Sequence, residues 1–251
     1  MKILLVNPNL TQAVTDAVLA AARSRAAPGT ELVAVTGRFG PAVIGSRAEN
    51  ALAQHGVLEL VAQHAPGCDA VVLGVSLDTA LWACRELLNM PVVGMTEAGM
   101  LCGATVATRI GLLTNGARMG PLYRELVQSY GLGDRLAGVA TLSLTPQQMV
   151  GLPQDVQDAQ EAVLEAARTL IERDGAEAVL LAGAAMASMA EALQPRLPVP
   201  LLDGVGCAVA LAQALVGLRL PRAQVGSVAP TGGRTVQGVS PALTALFARP
   251  A

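Results

Sequence analysis

Aromatic and charged side chains are both scarce in this 251-residue sequence: 2% of the residues are aromatic and 14% are charged, whereas 52% are hydrophobic. The core must therefore be built from Ala, Val, Leu and Met side chains, with few aromatic rings. So little charge leaves part of the surface apolar, and monomers seldom expose large contiguous apolar patches. We therefore expect the chain to form a homo-oligomer.

Signals for nucleic-acid or membrane binding are also missing. The formal net charge is −2 and there is no Lys/Arg cluster, so the basic footprint of a nucleic-acid-binding protein is lacking. The longest weakly polar stretch, residues 178–190, is shorter than the ~20 residues that cross a bilayer. The first residues are typical of a strand and not of a signal peptide. We expect a cytoplasmic protein with no nucleic-acid or membrane partner.

Cysteine and histidine are few, and their spacing is not that of a metal site or a disulfide framework. The four cysteines are Cys68, Cys84, Cys102 and Cys207. They form no C-x-x-C or Cys/His motif, so the sequence predicts neither zinc nor structural disulfides. Both histidines, His55 and His64, fall in or beside one predicted helix. A hydrolytic Ser/His pair is therefore not favoured.

Short apolar runs alternate with longer Ala/Leu-rich stretches of helical period along the whole chain. This alternation is typical of βαβ units around a parallel sheet. Eight strands are predicted, at residues 2–6, 31–35, 70–75, 92–95, 110–114, 138–142, 178–181 and 199–202. Helices are predicted up to about residue 25, at 51–65, at 82–88 and at 208–218. The chain is therefore expected to have an α/β fold.

Three segments of the first half recur later at an almost constant separation. Residues 2–7 match 109–114 and residues 91–99 match 198–206, each at an offset of 107, and residues 69–73 match 177–181 at an offset of 108. Such ordered repetition indicates duplication. We predict two pseudo-symmetric Rossmann-like halves, each a four-stranded parallel sheet flanked by helices, with the site in the cleft between them. The first half comprises residues 1–98 plus 208–251, and the second comprises residues 99–207.

The predicted strand ends define a candidate binding site. Ligands of open parallel sheets bind beyond the carboxyl ends of the strands. The residues at those ends that we predict to contact substrate are Asn9, Val75, Ser76, Thr114, Asn115, Gly183 and Ala184. Asn9 or Thr11 can also cap the helix that follows the first predicted strand, and free N–H groups at a helix start favour an anion. A small anionic substrate is therefore expected.

Ser76 and Asp78 are the candidate catalytic residues, because both follow the third predicted strand. Ser76 can donate a hydrogen bond to a carboxylate or to a developing oxyanion, although no base for a nucleophilic serine is visible. Asp78 is either an acid/base group or the N-cap of the helix at residues 82–88. Glu97, at the end of the fourth strand, is a third acidic candidate, with a helix cap or an interface hydrogen bond as its structural alternative.

The sequence resembles the aspartate/glutamate/hydantoin racemase superfamily over nearly its whole length. The resemblance is carried by segments spread over both halves: residues 6–11 (Val-Asn-Pro-Asn-Leu-Thr), 68–72, 85–88, 91–98, 110–114, 175–181 and 200–205. It implies the duplicated fold and a reaction without cofactor. It further implies that acid/base groups on the two walls of the cleft remove and return a proton beside a carboxylate or carbonyl.

The two positions where the resemblance implies catalytic thiols hold other residues. Family racemases carry one cysteine at the end of the third strand of each half, and the ungapped alignment places Val75 and Gly183 there. The remaining cysteines lie in predicted helices or before a strand, and only Cys207, at a helix start, has a position that could lower its pKa. We therefore expect a non-standard site that lacks the two-thiol pair.

Three functions remain open at this point. The first is an isomerase that acts on a small acid such as an amino acid or a hydantoin, with Ser76, Asp78 or Glu97 in proton transfer. The second is a cofactor-free decarboxylase or other lyase, because Ser76 and the backbone around Gly74 suit an oxyanion pocket. The third is a catalytically degenerate protein that only binds small anions.

Overall fold

Two parallel four-stranded sheets form the frame of the molecule. The structure, a computed structural model, describes residues 1–144, 148, 153–187 and 189–249. All eight predicted strands are present: β1 (Lys2–Asn7), β2 (Glu31–Thr36), β3 (Ala70–Leu73), β4 (Val92–Gly94), β5 (Ile110–Asn115), β6 (Leu136–Leu142), β7 (Ala178–Leu181) and β8 (Leu201–Asp203). The strand orders are β2-β1-β3-β4 and β6-β5-β7-β8, so the second sheet repeats the topology of the first. The predicted fold class is confirmed.

The strands form where the sequence is apolar enough to be buried on both faces of a sheet. Every residue of β3 and of β7 is buried, as expected for inner parallel strands covered by helices on either side. All strands except β7 differ from their predicted bounds by one or two residues, and two of them are shortened by two residues at one end. β3 ends at Leu73 and not at residue 75, and β8 begins at Leu201 and not at residue 199. The later start of β8 follows from Pro200, which has no N–H to donate to the neighbouring strand.

Nine helices connect and cover the strands in the described part of the chain. They are α1 (Gln12–Arg25), α2 (Arg47–His64), α3 (Leu81–Leu87), α4 (Met95–Val106), α5 (Met119–Ser129), α6 (Pro153–Glu172), α7 (Met189–Leu193), α8 (Gly204–Leu218) and α9 (Pro241–Phe247). Side-chain caps explain why two of them start earlier than predicted. Ser46 accepts a hydrogen bond from the Glu49 N–H and begins α2, and Asp203 accepts from the N–H groups of Val205 and Gly206 and begins α8.

Each sheet has a hydrophobic cluster on both of its faces. One face of the first sheet packs against α2, α3 and α9, and its other face packs against α1 and α8. The second sheet packs against α6 and α7 on one face and against α5 and part of α4 on the other. The segment after β8 therefore returns to cover the first sheet. Helices α4 and α8, which follow the last strand of each sheet, pack against each other.

The four cysteines occupy two kinds of environment. Cys68 and Cys84 are buried in the cluster between the first sheet and α2, as expected of small core residues. Cys102 in α4 and Cys207 in α8 are only partly buried. No helix within residues 1–144, 153–187 and 189–249 is both long and apolar enough to cross a membrane.

Candidate active site

A cavity of about 310 Å³ opens between the carboxyl ends of the two sheets. Residues from both sheets line it, and they follow β1 and β3 on one side and β5 and β7 on the other. The structure brings together here all of the residues predicted to bind substrate: Asn9, Val75, Ser76, Thr114, Asn115, Gly183 and Ala184. The rule that parallel strands present their carboxyl ends to a ligand accounts for this convergence.

Most of the remaining cavity wall is apolar, and apart from Met186, which the sequence suggested as a contact for an apolar substituent, its side chains were not anticipated. It includes the side chains of Val14, Ala17, Val43, Ile44, Met119 and Met186. Val43 and Ile44 come from the loop that follows β2, so the same strand-end rule could have pointed to them. No charged side chain is among the described residues that line the cavity. A bound molecule would therefore be held by neutral hydrogen-bonding groups and by apolar contact.

Three hydroxyl groups converge on the wall of the second sheet. Tyr123 donates a 2.7 Å hydrogen bond to the Ala182 carbonyl, and Thr114 donates a 3.3 Å bond to the same oxygen. The side chains of Ser76 and Thr114 lie close enough to the Tyr123 phenol to influence its pKa. Burial raises the pKa of Tyr123 to about 12, against the opposing effect of these side chains. The phenol therefore stays protonated and can act as a hydrogen-bond donor.

Tyr123 was missed from the sequence because it lies within α5, where its position is that of an ordinary core residue. Its side chain is completely buried among apolar neighbours, yet it also lines the cavity. The one available signal was its chemistry, because a buried tyrosine usually finds a partner for its hydroxyl. The sequence contains only two tyrosines, and the structure gives the hydroxyls of both a partner.

The loop after β1 is fixed by a network of amide groups. The side-chain oxygen of Asn9 accepts hydrogen bonds of 3.0 Å from the amide of Asn7 and from the N–H of Thr11. Thr11 occupies the N-cap position of α1 but its side chain makes no capping bond; its hydroxyl instead donates to the Ala42 carbonyl. Because the oxygen of Asn9 is committed, its NH₂ group is the part that can be offered to a ligand.

Asn115, at the equivalent strand end of the second sheet, is differently engaged. Its amide donates to the Leu144 carbonyl at 2.9 Å and its side-chain oxygen accepts from the Leu144 N–H at 2.8 Å. This pair of bonds ties the loop after β6 to the end of β5. Asn115 therefore shapes the cavity wall, and its side-chain groups are occupied by the protein itself.

Asp78 does not line the cavity with Ser76, and it does not cap the helix that we expected it to cap. The N-cap residue of α3 is Ala80. The Asp78 carboxylate instead accepts from the N–H groups of Thr96 (3.0 Å) and Glu97 (2.8 Å), in the first turn of α4. The backbone of Asp78 has a φ of 48°, and this left-handed turn carries the side chain towards Gly94, where a Cβ would lie 2.3 Å from the carboxyl carbon. The predicted α3 cap is therefore wrong.

The environment of Asp78 favours its neutral form. Its side chain is 3% exposed, and this burial raises its pKa to about 7, although the bonds from Thr96, Tyr130 and Glu97 act in the opposite direction. The Tyr130 hydroxyl donates to it at 2.7 Å. These bonds place Asp78 behind the loop that presents Ser76, and they connect that loop to both α4 and the end of α5.

Glu97 and the two histidines also lie outside the cavity lining. Glu97 makes a bidentate ion pair with Arg85 of α3, at 3.0 and 2.5 Å, and the Arg85 guanidinium lies 4.8 Å from the centre of the Trp82 ring. His55 and His64 are both on α2. None of the four cysteines lines the cavity. The groups that the structure offers to a ligand are thus hydroxyls, amides and backbone atoms.

Comparisons with known proteins agree with this architecture. The Asp/Glu/hydantoin racemase family model matches residues 3–212. A hydantoin racemase from Pseudomonas sp. (strain NS671) is 35% identical over 219 residues, which are 87% of each chain. The allantoin racemase of Klebsiella pneumoniae is 34% identical, with a TM-score of 0.90 over 97% of this chain and 99% of that one. The allantoin racemase of Pseudomonas fluorescens is 32% identical, with a TM-score of 0.89 over 95% and 100%.

The fold, in which two similar sheets face each other, matches the allantoin racemase structures over nearly the whole chain. The chain belongs to the Asp/Glu/hydantoin racemase family and is an enzyme of the isomerase class.

Proposed function

We propose that this enzyme is a cofactor-independent racemase of hydantoin-type compounds, which exchanges the proton on the carbon next to a ring carbonyl. The observation that carries the proposal is the group of hydroxyls from Ser76, Thr114 and Tyr123 on an otherwise apolar, uncharged cavity wall. The names of the relatives, hydantoin racemase and allantoin racemase, support the same substrate class. Among the small acids considered from the sequence, a hydantoin fits best because the lining has no cationic side chain for a carboxylate.

Removal of the carbon-bound proton turns the neighbouring carbonyl into an enolate, whose oxygen carries the new negative charge. Hydrogen-bond donors that already point at such an oxygen lower the barrier most when water is largely excluded. Ser76 is the proposed donor to the enolate oxygen. Tyr123, whose phenol lies beside the Ser76 side chain, is proposed to hold that side chain in place. The substrate becomes anionic only during the reaction, which suits a site with neutral donors.

The positions expected for the two family thiols hold Val75 and Gly183 in our alignment, and both residues line the cavity. We therefore propose that a pair of thiols at these two positions does not take and return the proton. A planar enolate that is reprotonated from either face yields the racemate. In this proposal Asp78 is a positioning residue, which holds the loop of Ser76 through its bonds to α4 and Tyr130.

The apolar wall provides the proposed specificity for the ring substituent. Val14, Ile44, Met119 and Met186 surround the space beside the hydroxyls. Burial of a methylene group contributes about 0.8 kcal/mol, so an aliphatic substituent of a few carbons would bind more tightly than a charged one. A charged substituent would lose its hydration without gaining a partner among the described lining residues.

The test is to incubate the purified protein in D₂O with single enantiomers of 5-substituted hydantoins, amino acids and substituted malonates. Optical rotation and carbon deuteration are followed, with the uncatalysed rate subtracted. Deuteration of hydantoins with matching loss of rotation is the expected result. Release of CO₂ from malonates would instead support the decarboxylase, and a ligand-induced rise in Tm with neither reaction would support the binding protein. Either outcome would overturn the racemase proposal.

A decarboxylase remains the second candidate function, because the hydroxyls of Ser76, Thr114 and Tyr123 could also stabilise an enediolate.

Cytoplasmic location and homo-oligomer formation rest on composition and stay predictions. Exposed apolar side chains such as Trp82, Leu220 and Val225, which are 50%, 66% and 80% exposed, support the oligomer. Size-exclusion chromatography with light scattering would test it.

A further inference from the structure

A second cavity, of about 430 Å³, shares no lining residue with the candidate active site. Cys102 of α4 and Cys207 of α8 both line it, beside Arg25 and Asp203. Both cysteines are partly exposed, so a small reagent can reach their sulfur atoms.

The thiols of Cys102 and Cys207 influence each other electrostatically. Their helices, α4 and α8, pack together, and a Cβ on Gly204, near the start of α8, would come within 2.8 Å of the Met95 carbonyl at the start of α4. A disulfide requires Cα atoms about 4.4–6.8 Å apart, so it can form only between closely packed elements such as these two helices.

The two cysteines differ in their surroundings. The influence of the Cys207 thiol lowers the pKa of Cys102 to about 7, whereas the influence of Cys102 and burial raise the pKa of Cys207. Near neutral pH a fraction of Cys102 is therefore thiolate, which is the reactive form of a cysteine. Cys84, by contrast, is completely buried, and burial raises its pKa to about 12.

We propose that Cys102 and Cys207 form a reversible disulfide when the protein meets a peroxide. The Cys102 thiolate attacks one oxygen of hydrogen peroxide, the O–O bond breaks, and the second oxygen leaves as hydroxide, which takes a proton to become water. Cys102 is then a sulfenic acid. The Cys207 sulfur attacks the Cys102 sulfur, the S–O bond breaks, and the hydroxyl leaves as water with the proton of Cys207. Two thiols are oxidised and one peroxide is reduced to two waters.

The disulfide would join the two helices that follow the last strand of each sheet. All four strands of the second sheet, β5 to β8, lie in the chain between Cys102 and Cys207. The crosslink would therefore close a loop around the second half and fix it against α8, which packs on the first sheet. A disulfide that closes a long loop reduces the freedom of the unfolded chain, so oxidation is expected to raise Tm.

The test begins with the native wild-type protein, treated with hydrogen peroxide, then unfolded and alkylated with iodoacetamide before peptide mapping by mass spectrometry. The expected product has a Cys102–Cys207 crosslinked peptide, two hydrogens fewer than the reduced protein, and alkylated Cys68 and Cys84. Dithiothreitol should restore both thiols and reverse the rise in Tm. Alkylation of all four cysteines, or a crosslink between two chains, would overturn the proposal.

Single serine variants test the order of the steps. Cys207→Ser should stop at the Cys102 sulfenic acid, which a cyclic 1,3-diketone captures. Cys102→Ser should give neither the sulfenic acid nor the crosslink. Serine is close to cysteine in size, and thermal melting of the reduced variants shows whether each is folded. Capture of a Cys207 sulfenic acid in folded Cys102→Ser at the wild-type rate would contradict the assigned roles.

Discussion

The hydroxyl of Tyr130 donates a 2.7 Å hydrogen bond to the buried carboxylate of Asp78, and this bond joins the end of α5 in the second half to the loop of Ser76 in the first. The same carboxylate accepts from the first turn of α4. Asp78 thus connects three elements at the back of the cavity wall. Its ionisation links the stability of this junction to pH.

The first prediction concerns this pH dependence. Burial raises the pKa of Asp78 to about 7 from its ordinary 3.8, so the native protein keeps a proton that the unfolded chain releases between these values. Where the native state binds more protons, stability falls as the pH rises. The contribution of Asp78 to the free energy of unfolding should therefore decrease between pH ~4 and ~7.

Asp78→Asn removes that titration and leaves an amide that cannot accept from all three donors. The variant should be less stable than wild type by about 1–3 kcal/mol at pH 5, because one buried donor or more loses its partner. Urea unfolding at pH 5 and pH 8 should show a smaller difference from wild type at pH 8. If the variant were destabilised equally at pH 5 and at pH 8, Asp78 would not be the group that titrates. Tyr130→Phe keeps the carboxylate and should retain the pH dependence.

The second prediction concerns the donor to the enolate. Ser76→Ala should lower kcat/KM for hydantoin racemisation by about 100-fold, as loss of one oxyanion donor does in other enzymes. Cys207→Ala is the matched control because Cys207 does not line the active-site cavity, and it should leave the rate unchanged. Both rates are measured by polarimetry after thermal melting confirms the fold. The opposite result, with only Cys207→Ala inactive, would refute the proposed site.

The third prediction separates the positioning role of Tyr123 from its packing. Tyr123→Phe keeps the ring in the core but removes the hydroxyl that donates to Ala182 and lies beside Ser76. We expect a stability loss of about 1 kcal/mol. We also expect a roughly tenfold fall in kcat with little change in KM, because a positioned donor acts mainly in the transition state. A purely structural role for Tyr123 would reduce stability and leave kcat unaltered.

The fourth prediction places thiols at the two positions where the resemblance implies them. In the variant Val75→Cys/Gly183→Cys each wall of the cavity carries one thiol that can exchange a proton with the substrate. A Cβ at Gly183 would meet the terminal methyl of Met186 at 2.6 Å, and this flexible side chain can move aside. Racemisation should accelerate at least about tenfold. Iodoacetamide should abolish the gain, and each single variant should gain less than the double variant. No gain in a folded double variant would count against Val75 and Gly183 as the thiol positions.

Much of the fold could be predicted from the sequence, and so could the cavity residues that follow the strands, because both depend on the local pattern of apolar residues. Apolar runs such as residues 70–73 and 178–181 predict buried strands, and both runs are buried strands in the structure. The repeated order of elements predicts that two sheets face each other. The residues after the strands then converge by topology alone, as Ser76 and Gly183 do.

The contacts that tune the site could not be predicted in this way. Asp78 accepts hydrogen bonds from residues 96, 97 and 130, which lie 18, 19 and 52 positions further along the chain. The residues next to Asp78 in the sequence do not show that it binds these partners and does not cap α3. Tyr123 has the spacing of a core residue on α5. Side-chain hydrogen bonds between distant elements depend on packing distances that periodicity does not encode.

The return of α8 and α9 to the first sheet has a consequence for the order in which the chain can fold. The strands of the second sheet and helices α5 to α7 that cover it all precede residue 204. The first sheet, although made first, needs Val205 to Ala212 of α8 and Leu243 and Leu246 of α9 to complete its two clusters. During synthesis the second half can therefore acquire its core while the first is still incomplete, and the earliest strands are stabilised last.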